Sequence, residues 1–519
     1  MELEKIAEIE YATWVGRKEL FRLGTALLFI IGIMLFTVSR EGGVSPLLVV
    51  AAMIGGYMAL NIGANDVANN VGPAVGSRAL TLTGAIFLAV IFEAAGALIA
   101  GGEVVGTIKK GIINPELIAN ADVFVWLMMA ALLAGALWLN LATAFGAPVS
   151  TTHSIVGGVL GAGIAAGGWG IADWGKMSQI AASWVISPVL GGLIAASFLY
   201  LIKRTITYRK DMIRAAKYMV PILIGVMAWA FSAYLMLKGF KKLWKFDIVT
   251  ALSVGLVVAV VIAFVSKMII ARVAGRIENS KQGINQLFTL PLIFAAALLS
   301  FAHGANDVAN AVGPLAAIND ALTSHEVAKK AAIPLWVMMV GAIGIAIGLA
   351  LYGPKLIKTV GSEITELNQT RAFCIALSAA ITVIIATHLG LPVSSTHIAV
   401  GAIFGVGFLR EYLKASYARM VEEIKLHHKN SEQGEIESFL SQFEKGSLRE
   451  KCEMLQQLKK HKAAVELTKK ERKSLKRKYT HELVKRSALM KIAAAWLITV
   501  PVSGLMAAIL YFTIRGMML

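Results

Sequence analysis

The sequence predicts an all-α polytopic membrane protein assembled from a duplicated unit, and three observations carry that prediction. Hydrophobic residues make up 57% of the 519-residue chain and charged residues only 16%, with a mean hydropathy of +0.69. That balance lies far from a soluble globular average. Apolar stretches suited to a bilayer recur near 23–38, 45–62, 80–100, 123–143, 177–202, 218–237, 248–266, 287–302, 331–352, 372–390 and 491–513. Shorter Gly-rich pieces near 154–170 and 398–409 bring the expectation to about 11–13 membrane segments. Finally, GANDVANNVGP at 63–73 returns as GANDVANAVGP at 304–314, and PVSTTH at 148–153 returns as PVSSTH at 392–397. Pro148 follows Asn65 by 83 residues and Pro392 follows Asn306 by 86. Two motifs repeated in the same order mark a duplicated unit rather than chance.

In chain order, residues 1–44 form a prefix with one extra membrane helix. Its start, MELEKIAEIE, is acidic and mixed, and no small-residue cleavage site follows, so the first apolar run reads as a retained helix. The first repeat covers 45–200. Connecting membrane helices occupy 201–286, with basic clusters at Lys203–Lys217 and Lys238–Lys245. The second repeat covers 287–410, and a last membrane helix covers 489–519.

Between them, 411–488 is a charged helical insertion. From Arg410 to Arg486 there are 20 Lys and Arg against 12 Asp and Glu, a large share of the formal net charge of +18. The positive-inside bias places this segment in the cytoplasm, where it would also attract anionic head groups. No stacking or base-reading motif accompanies the charge, which argues against nucleic acid. Ile436, Phe439, Leu440 and Phe443 recur at helical spacing, as do Met454, Leu455 and Leu458, suggesting amphipathic helices. Cys374 and Cys452 offer no disulfide framework.

The repeated motifs are costly inside continuous membrane helices. Gly63, Asn65, Asp66, Asn69, Gly72 and Pro73 are poor helix formers, and Asp66 brings charge into an apolar run. Pro73 removes a backbone donor. A broken helix whose freed groups line a polar cavity resolves the conflict, and duplicated transporters place their substrates at such breaks. In PVSTTH, Pro148 suits a helix start, after which Ser150, Thr151 and Thr152 present hydroxyls and backbone N–H groups, a ready anion site. Pro392, Ser394, Ser395 and Thr396 read the same way. The candidate carboxylates are Asp66, Asp307 and Glu93, with no Lys or Arg in the four motifs. An anion entering such a site is repelled unless a cation enters with it, which is the logic of symport. Carboxylate, amide carbonyl and hydroxyl oxygens are hard ligands that suit Na⁺.

These motif pairs, with FEAAGA at 92–97, resemble the inorganic phosphate transporter family across roughly 45–200 and 287–410. The resemblance implies two inverted repeats with broken and re-entrant helices, and phosphate held between the halves beside sodium or proton sites. It implies substrate-binding roles for Asn65, Asp66, Ser150, Thr151, Thr152, Asn306, Asp307, Ser394, Ser395 and Thr396. Coupling-ion roles fall on Asp66, Asp307, Glu93, Asn69 and Asn310, with Na⁺ expected at Asp66, Asp307, Asn65 and Asn306. The family's histidine before the second GANDVAN falls on His303. Departures are also visible. Ala376 stands where some members carry a second-repeat glutamate, Ala311 stands opposite Asn70, and Ile62 stands opposite His303. The long insertion lies near the C-terminus rather than between the halves.

The expected function is therefore uptake of inorganic phosphate by Na⁺ or H⁺ symport across a bacterial or archaeal plasma membrane. No cofactor beyond the coupling ion is expected, and no catalytic residue. Sulfate uptake on the same scaffold is one alternative. An anion channel or a receptor-like scaffold with a basic tail is another, of a different class. Metal–phosphate complexes as cargo and a homodimer stay open. Bland readings stand beside the sharp ones. Asn69 and Asn310 would cap continuing helices, while His153 and His397 would hydrogen-bond backbone. The runs GGVLGAG (157–163) and GAIFGVG (401–407) would allow close helix packing. Trp126, Trp138, Trp169 and Trp174 would serve the membrane interface or packing.

Overall fold

The computed structural model describes residues 2–40, 45–147, 149–239, 244, 246–324, 333–363, 367–427 and 486–519. The expectations for Pro148, for Cys452 and for the two apolar stripes of the insertion lie outside these residues. The helices are α1 (Glu2–Val38), α2 (Pro46–Asn65), α3 (Ala68–Gly76), α4 (Leu82–Ala100), α5 (Gly102–Lys110), α6 (Ala121–Ala144), α7 (Thr151–Gly167), α8 (Trp174–Ile202) and α9 (Met212–Tyr234). They continue with α10 (Ile248–Ala274), α11 (Lys281–Leu287), α12 (Thr289–Asp307), α13 (Ala309–Ser324), α14 (Leu335–Glu363), α15 (Gln369–His388), α16 (Ser395–His427) and α17 (Arg486–Met518). Among the described residues, 11 helices or helix pairs are long and apolar enough to cross a membrane, with α2–α3 and α12–α13 each counting once. The two Gly-rich pieces form α7 and the start of α16.

Side chains placed just ahead of the helices account for many of their starts. Ser45 accepts from Leu47 N–H with Pro46 at the first helical position, Thr81 from Gly84, Asn120 from Val123 and Asn368 from Arg371. Helices α6 and α15 end alike. Gly146 (φ 70°) and Gly390 (φ 66°) adopt left-handed backbone, and Ala147 N–H and Leu391 N–H reach back to Ala142 O and Ala386 O. These are matching Schellman turns, in which glycine avoids a Cβ clash. A short antiparallel bridge pairs Ile113 with Ala172, reinforced by Asn114 N–H to Ile171 O at 2.7 Å and Asp173 N–H to Ile112 O at 3.1 Å. It brings the end of α7 back beside the segment leading into α6, so α6–α7 is a hairpin.

The two motif-bearing halves pack across one another. Helix α2 lies on α14 and α4 on α12, while α8 lies on α16 and α17 on α7. Backbone-close contacts make this possible. A Cβ on Gly63 would stand 1.9 Å from Ile345 O, and one on Gly304 would stand 2.2 Å from Glu93 O. A Cβ on Gly161 would stand 2.1 Å from Gly504 O, and one on Gly405 would stand the same distance from Gly192 O. The Gly-rich runs therefore serve helix packing, as their sequence setting indicates.

The interruptions in the GANDVAN segments are smaller than the sequence suggests. Asp66 (φ −86°, ψ −34°) and Val67 (φ −65°, ψ −18°) stay right-handed, and only Val308 (φ −56°, ψ −29°) separates α12 from α13. The chain tightens instead of unwinding: Asn69 N–H bonds Asp66 O and Asn70 N–H bonds Val67 O, three residues back. Pro73 and Pro314 sit inside α3 and α13, so the carbonyls four residues earlier, of Asn69 and Asn310, lose their usual donors. Polarity here comes from side chains more than from freed backbone. The helix starts differ too. Helix α7 begins at Thr151, with Ser150 as its cap.

Candidate functional site

Asp66 and Asp307 end helices α2 and α12, and both are buried where the two helix pairs meet the starts of α7 and α16. Asp66 accepts from Thr151 Oγ1 at 2.6 Å within its own half and from Thr396 Oγ1 at 2.9 Å in the other half. Asp307 accepts from Ser395 Oγ and from Thr151 Oγ1, both at 3.3 Å. Oxygens of Asp66 and Asp307 and a ring nitrogen of His303 lie within 4.8 Å of one another. Asn69 donates to Asp66 O at 3.0 Å and to Thr396 Oγ1 at 2.9 Å, while Asn310 donates to Thr151 and Thr152 Oγ1 at 3.2 and 3.3 Å. Thr152 Oγ1 donates to Val393 O at 2.9 Å, crossing to the opposite hairpin tip. Each half thus reaches into the other.

Ser150 and Ser394 cap the two helix starts, accepting from His153 N–H at 3.1 Å and His397 N–H at 3.2 Å. The first N–H groups of α7 and α16 face outward from the helix with no intrahelical acceptor, so the starts can receive anionic oxygens. Asn65 and Asn306 hold the hairpin tips. Asn65 donates to Thr143 Oγ1 at 2.9 Å and Ala147 O at 3.2 Å, and accepts from Val149 N–H at 3.1 Å. Asn306 donates to Thr387 Oγ1 at 2.8 Å and Leu391 O at 3.4 Å.

Thr143, Gly146, Thr387 and Gly390 were not singled out from the sequence, although it shows them. Thr143-x-x-Gly146 precedes PVSTTH just as Thr387-x-x-Gly390 precedes PVSSTH. The sequence-predicted site residues come together, and Ala376, where some family members carry a glutamate, is buried on α15.

A second polar chain links the two halves at one place and is not repeated at the equivalent place. Glu93 accepts from Asn70 Nδ2 at 2.7 Å, and its other oxygen lies 2.7 Å from His303 Nδ1. His303 Nε2 lies 3.1 Å from Asp307 Oδ2. A neutral imidazole has one N–H, so satisfying both contacts requires an imidazolium or a proton on one carboxyl. By packing, the position opposite Glu93 is Ile345, since Gly304 abuts Glu93 O as Gly63 abuts Ile345 O. With Ile62 opposite His303 and Ala311 opposite Asn70, the equivalent place in the other half is apolar throughout.

His153 and His397 meet edge to face, 4.4 Å apart, with Trp184 3.8 Å from His153 and Trp496 3.6 Å from His397. Their place is in this buried aromatic stack rather than in the carboxylate cluster. Trp138 donates to Thr499 at 3.3 Å, while the exposed Trp169 and Trp174 stack at 6.0 Å.

Carboxylates, amides and hydroxyls gathered between two duplicated sets of membrane helices are the make-up of a multi-pass membrane transporter. Residues 62–507 match the Phosphate transporter family. The chain is 54% identical, over 98% of each sequence, to a protein of Helicobacter pylori strain J99 named "Putative phosphate permease". A protein of like name from Thermococcus kodakarensis is 40% identical over 70% of this chain and 89% of its own. A solved structure titled "The sodium-dependent phosphate transporter" is 31% identical, with a TM-score of 0.74 over 91% of this chain and all of that one. The chain belongs to the phosphate transporter family.

Proposed function

We propose that this protein is a secondary active symporter that carries inorganic phosphate with Na⁺ across the plasma membrane. The observation that supports it most is the buried, acceptor-rich cluster. Asp66 and Asp307 meet in the interior, and Asn69 Oδ1, Asn306 Oδ1 and Asp307 Oδ1 have no hydrogen-bond donor among the described residues. Buried acceptors without donors are costly, and a hard cation satisfies them. With cations on the carboxylates, the starts of α7 and α16 offer hydroxyls and N–H groups to the anion's oxygens. The name of the 31%-identical structure, a sodium-dependent phosphate transporter, points the same way.

In this reading the halves are inverted repeats, the second made of 287–410 and the C-terminal helix, with the charged insertion in the cytoplasm. Pairing of α8 with α16 and of α17 with α7 supports the inclusion of the C-terminal helix. One half rocks against the other, exposing the site to each side in turn. Phosphate at neutral pH is partly protonated and can donate to Asp66 or Asp307, which sulfate cannot do.

Labelled phosphate uptake in proteoliposomes tests the reading, with imposed Na⁺ or pH gradients and sulfate as competitor. Uptake driven by Na⁺ and resistant to sulfate is expected. Uptake driven by a pH gradient alone would replace Na⁺ with H⁺. Uptake needing neither gradient would overturn symport.

A further inference from the structure

Helix α5 has nine residues, and its Glu103, Thr107 and Lys109 side chains reach elements far away in sequence. Thr107 Oγ1 donates to Gly390 O at 2.7 Å. Gly390 is the left-handed residue at the α15–α16 tip, four positions before the Ser394 cap. Lys109 pairs with Asp320 on α13, both side chains buried. Glu103 pairs at 2.9 Å with Lys238, in the turn that follows α9.

Two of these partners belong to the elements that build the second half-site. Helix α13 carries Asn310 to the cluster and Asp320 lies ten residues along the same helix, about 15 Å away at the α-helical rise. The tip held at Gly390 carries Ser395 and Thr396 to Asp307 and Asp66. Through Gly101, α5 continues from α4, the helix of Glu93, which itself lies against α12.

The Lys109–Asp320 pair has no equivalent in the other half. Helices α4 and α5 with Gly101 span the same 29 residues as α14. With Glu93 opposite Ile345 as the packing sets it, Gly101 falls opposite Gly353 and Lys109 opposite Gly361. The repeat of GANDVAN sets Asp320 opposite Ala79. A buried ion pair is a weak source of stability, because desolvation consumes most of the attraction, but its geometry holds two elements in register.

We propose that α5 is the positioning element of the second half-site. Thr107 sets the α15–α16 tip and Lys109 sets α13, so that the hydroxyls of Ser395 and Thr396 and the amide of Asn310 keep their distance from the two aspartates. Thr107 and Lys109 are positioning residues and touch no substrate. The proposal rests on the transport reading for its activity test and has a second readout independent of it.

The first test is phosphate uptake by Thr107→Val, Thr107→Ser, Lys109→Ala and the swap Lys109→Asp with Asp320→Lys, all in the full-length protein. Loss of one positioning hydrogen bond is expected to raise KM for phosphate about three- to tenfold in Thr107→Val. Vmax stays within about twofold, and Thr107→Ser, which keeps the hydroxyl, restores KM. Lys109→Ala behaves like Thr107→Val, and the charge swap recovers part of the loss. An unchanged KM in Thr107→Val, or a Ser variant as impaired as the Val variant, overturns the proposal. The second test is amide hydrogen exchange across 389–396 and 309–324, which needs no transport. Faster exchange at 389–396 in Thr107→Val supports the proposal and unchanged exchange refutes it. A wild-type protein that moves no phosphate would sink the transport reading while leaving this second test intact.

Discussion

The two half-sites carry the same motif and treat their aspartates differently. Asp66 receives short hydroxyl bonds from both halves, at 2.6 and 2.9 Å. Asp307 receives only long ones, both at 3.3 Å, keeps Oδ1 unpartnered and faces His303 at 3.1 Å. Asn65 likewise makes three bonds to its hairpin tip, against two for Asn306, whose Oδ1 is unpartnered. In the first half-site the protein's own donors satisfy the aspartate, and the open acceptor is the amide oxygen of Asn69 instead. The second keeps acceptor capacity to spare and is backed by the Glu93–His303–Asn70 chain. Duplication supplied two equal frames, and substitutions at a few buried positions made one a clamp and the other a receptor.

The largest effect expected from breaking this comparison is at the aspartates. Asp66→Asn and Asp307→Asn should each lower phosphate uptake by about 100-fold or more, the scale of losing a buried charge interaction. Asp307→Asn should also shift the cation concentration needed for half-maximal uptake, and protein recovered in detergent should remain folded. Either variant retaining full uptake would remove its aspartate from the site.

A smaller effect tests the one-sided polar chain. Glu93→Ile alone leaves Asn70 and His303 buried without their partner and should cost about 3–5 kcal/mol of stability. Asn70→Ala, Glu93→Ile and His303→Ile together reproduce the apolar set of the other half and should cost less than Glu93→Ile alone. Thermal unfolding of the singles and the triple gives the coupling directly. Strictly additive losses would show that the three residues do not act as one unit.

The smallest effect distinguishes the two tips. Asn65→Ala should destabilise the fold by about 1 kcal/mol more than Asn306→Ala, the value of one net hydrogen bond. Equal melting shifts for the two would erase this part of the contrast.

Much of the site was legible in the sequence because its residues are polar in an apolar chain. Asp66, Asp307 and the Ser/Thr runs stand out against their surroundings, and doubling makes chance an unlikely source. The helix starts were legible to within three residues, since Pro148 and Pro392 mark the approach while Ser150 and Ser394 form the caps. Thr143 and Thr387 were harder to see. A threonine in an apolar helix is unremarkable until the asparagine it meets, 78 or 81 residues away in sequence, is known. Glu93 and His303 were each visible, but not their pairing across 210 residues. The sequence also suggested unwound helices at GANDVAN, because propensity counts poor helix formers; surrounding helices override propensity by burying the segment on every side.

The sequence by itself determined the membrane setting, the duplication and the chemical inventory of the site, because hydropathy, repetition and residue type are local properties of the chain. It also showed which positions the two halves do not share. Only the tertiary structure decided which aspartate is satisfied and which keeps open acceptors, that Glu93 leans on His303, and that each half completes the other through Thr151, Thr152 and Thr396. Those are outcomes of distance between segments 78 to 330 residues apart, and hydrogen-bond strength falls away within a few tenths of an ångström. That dependence on close approach is why two nearly identical eleven-residue motifs end as unequal sites.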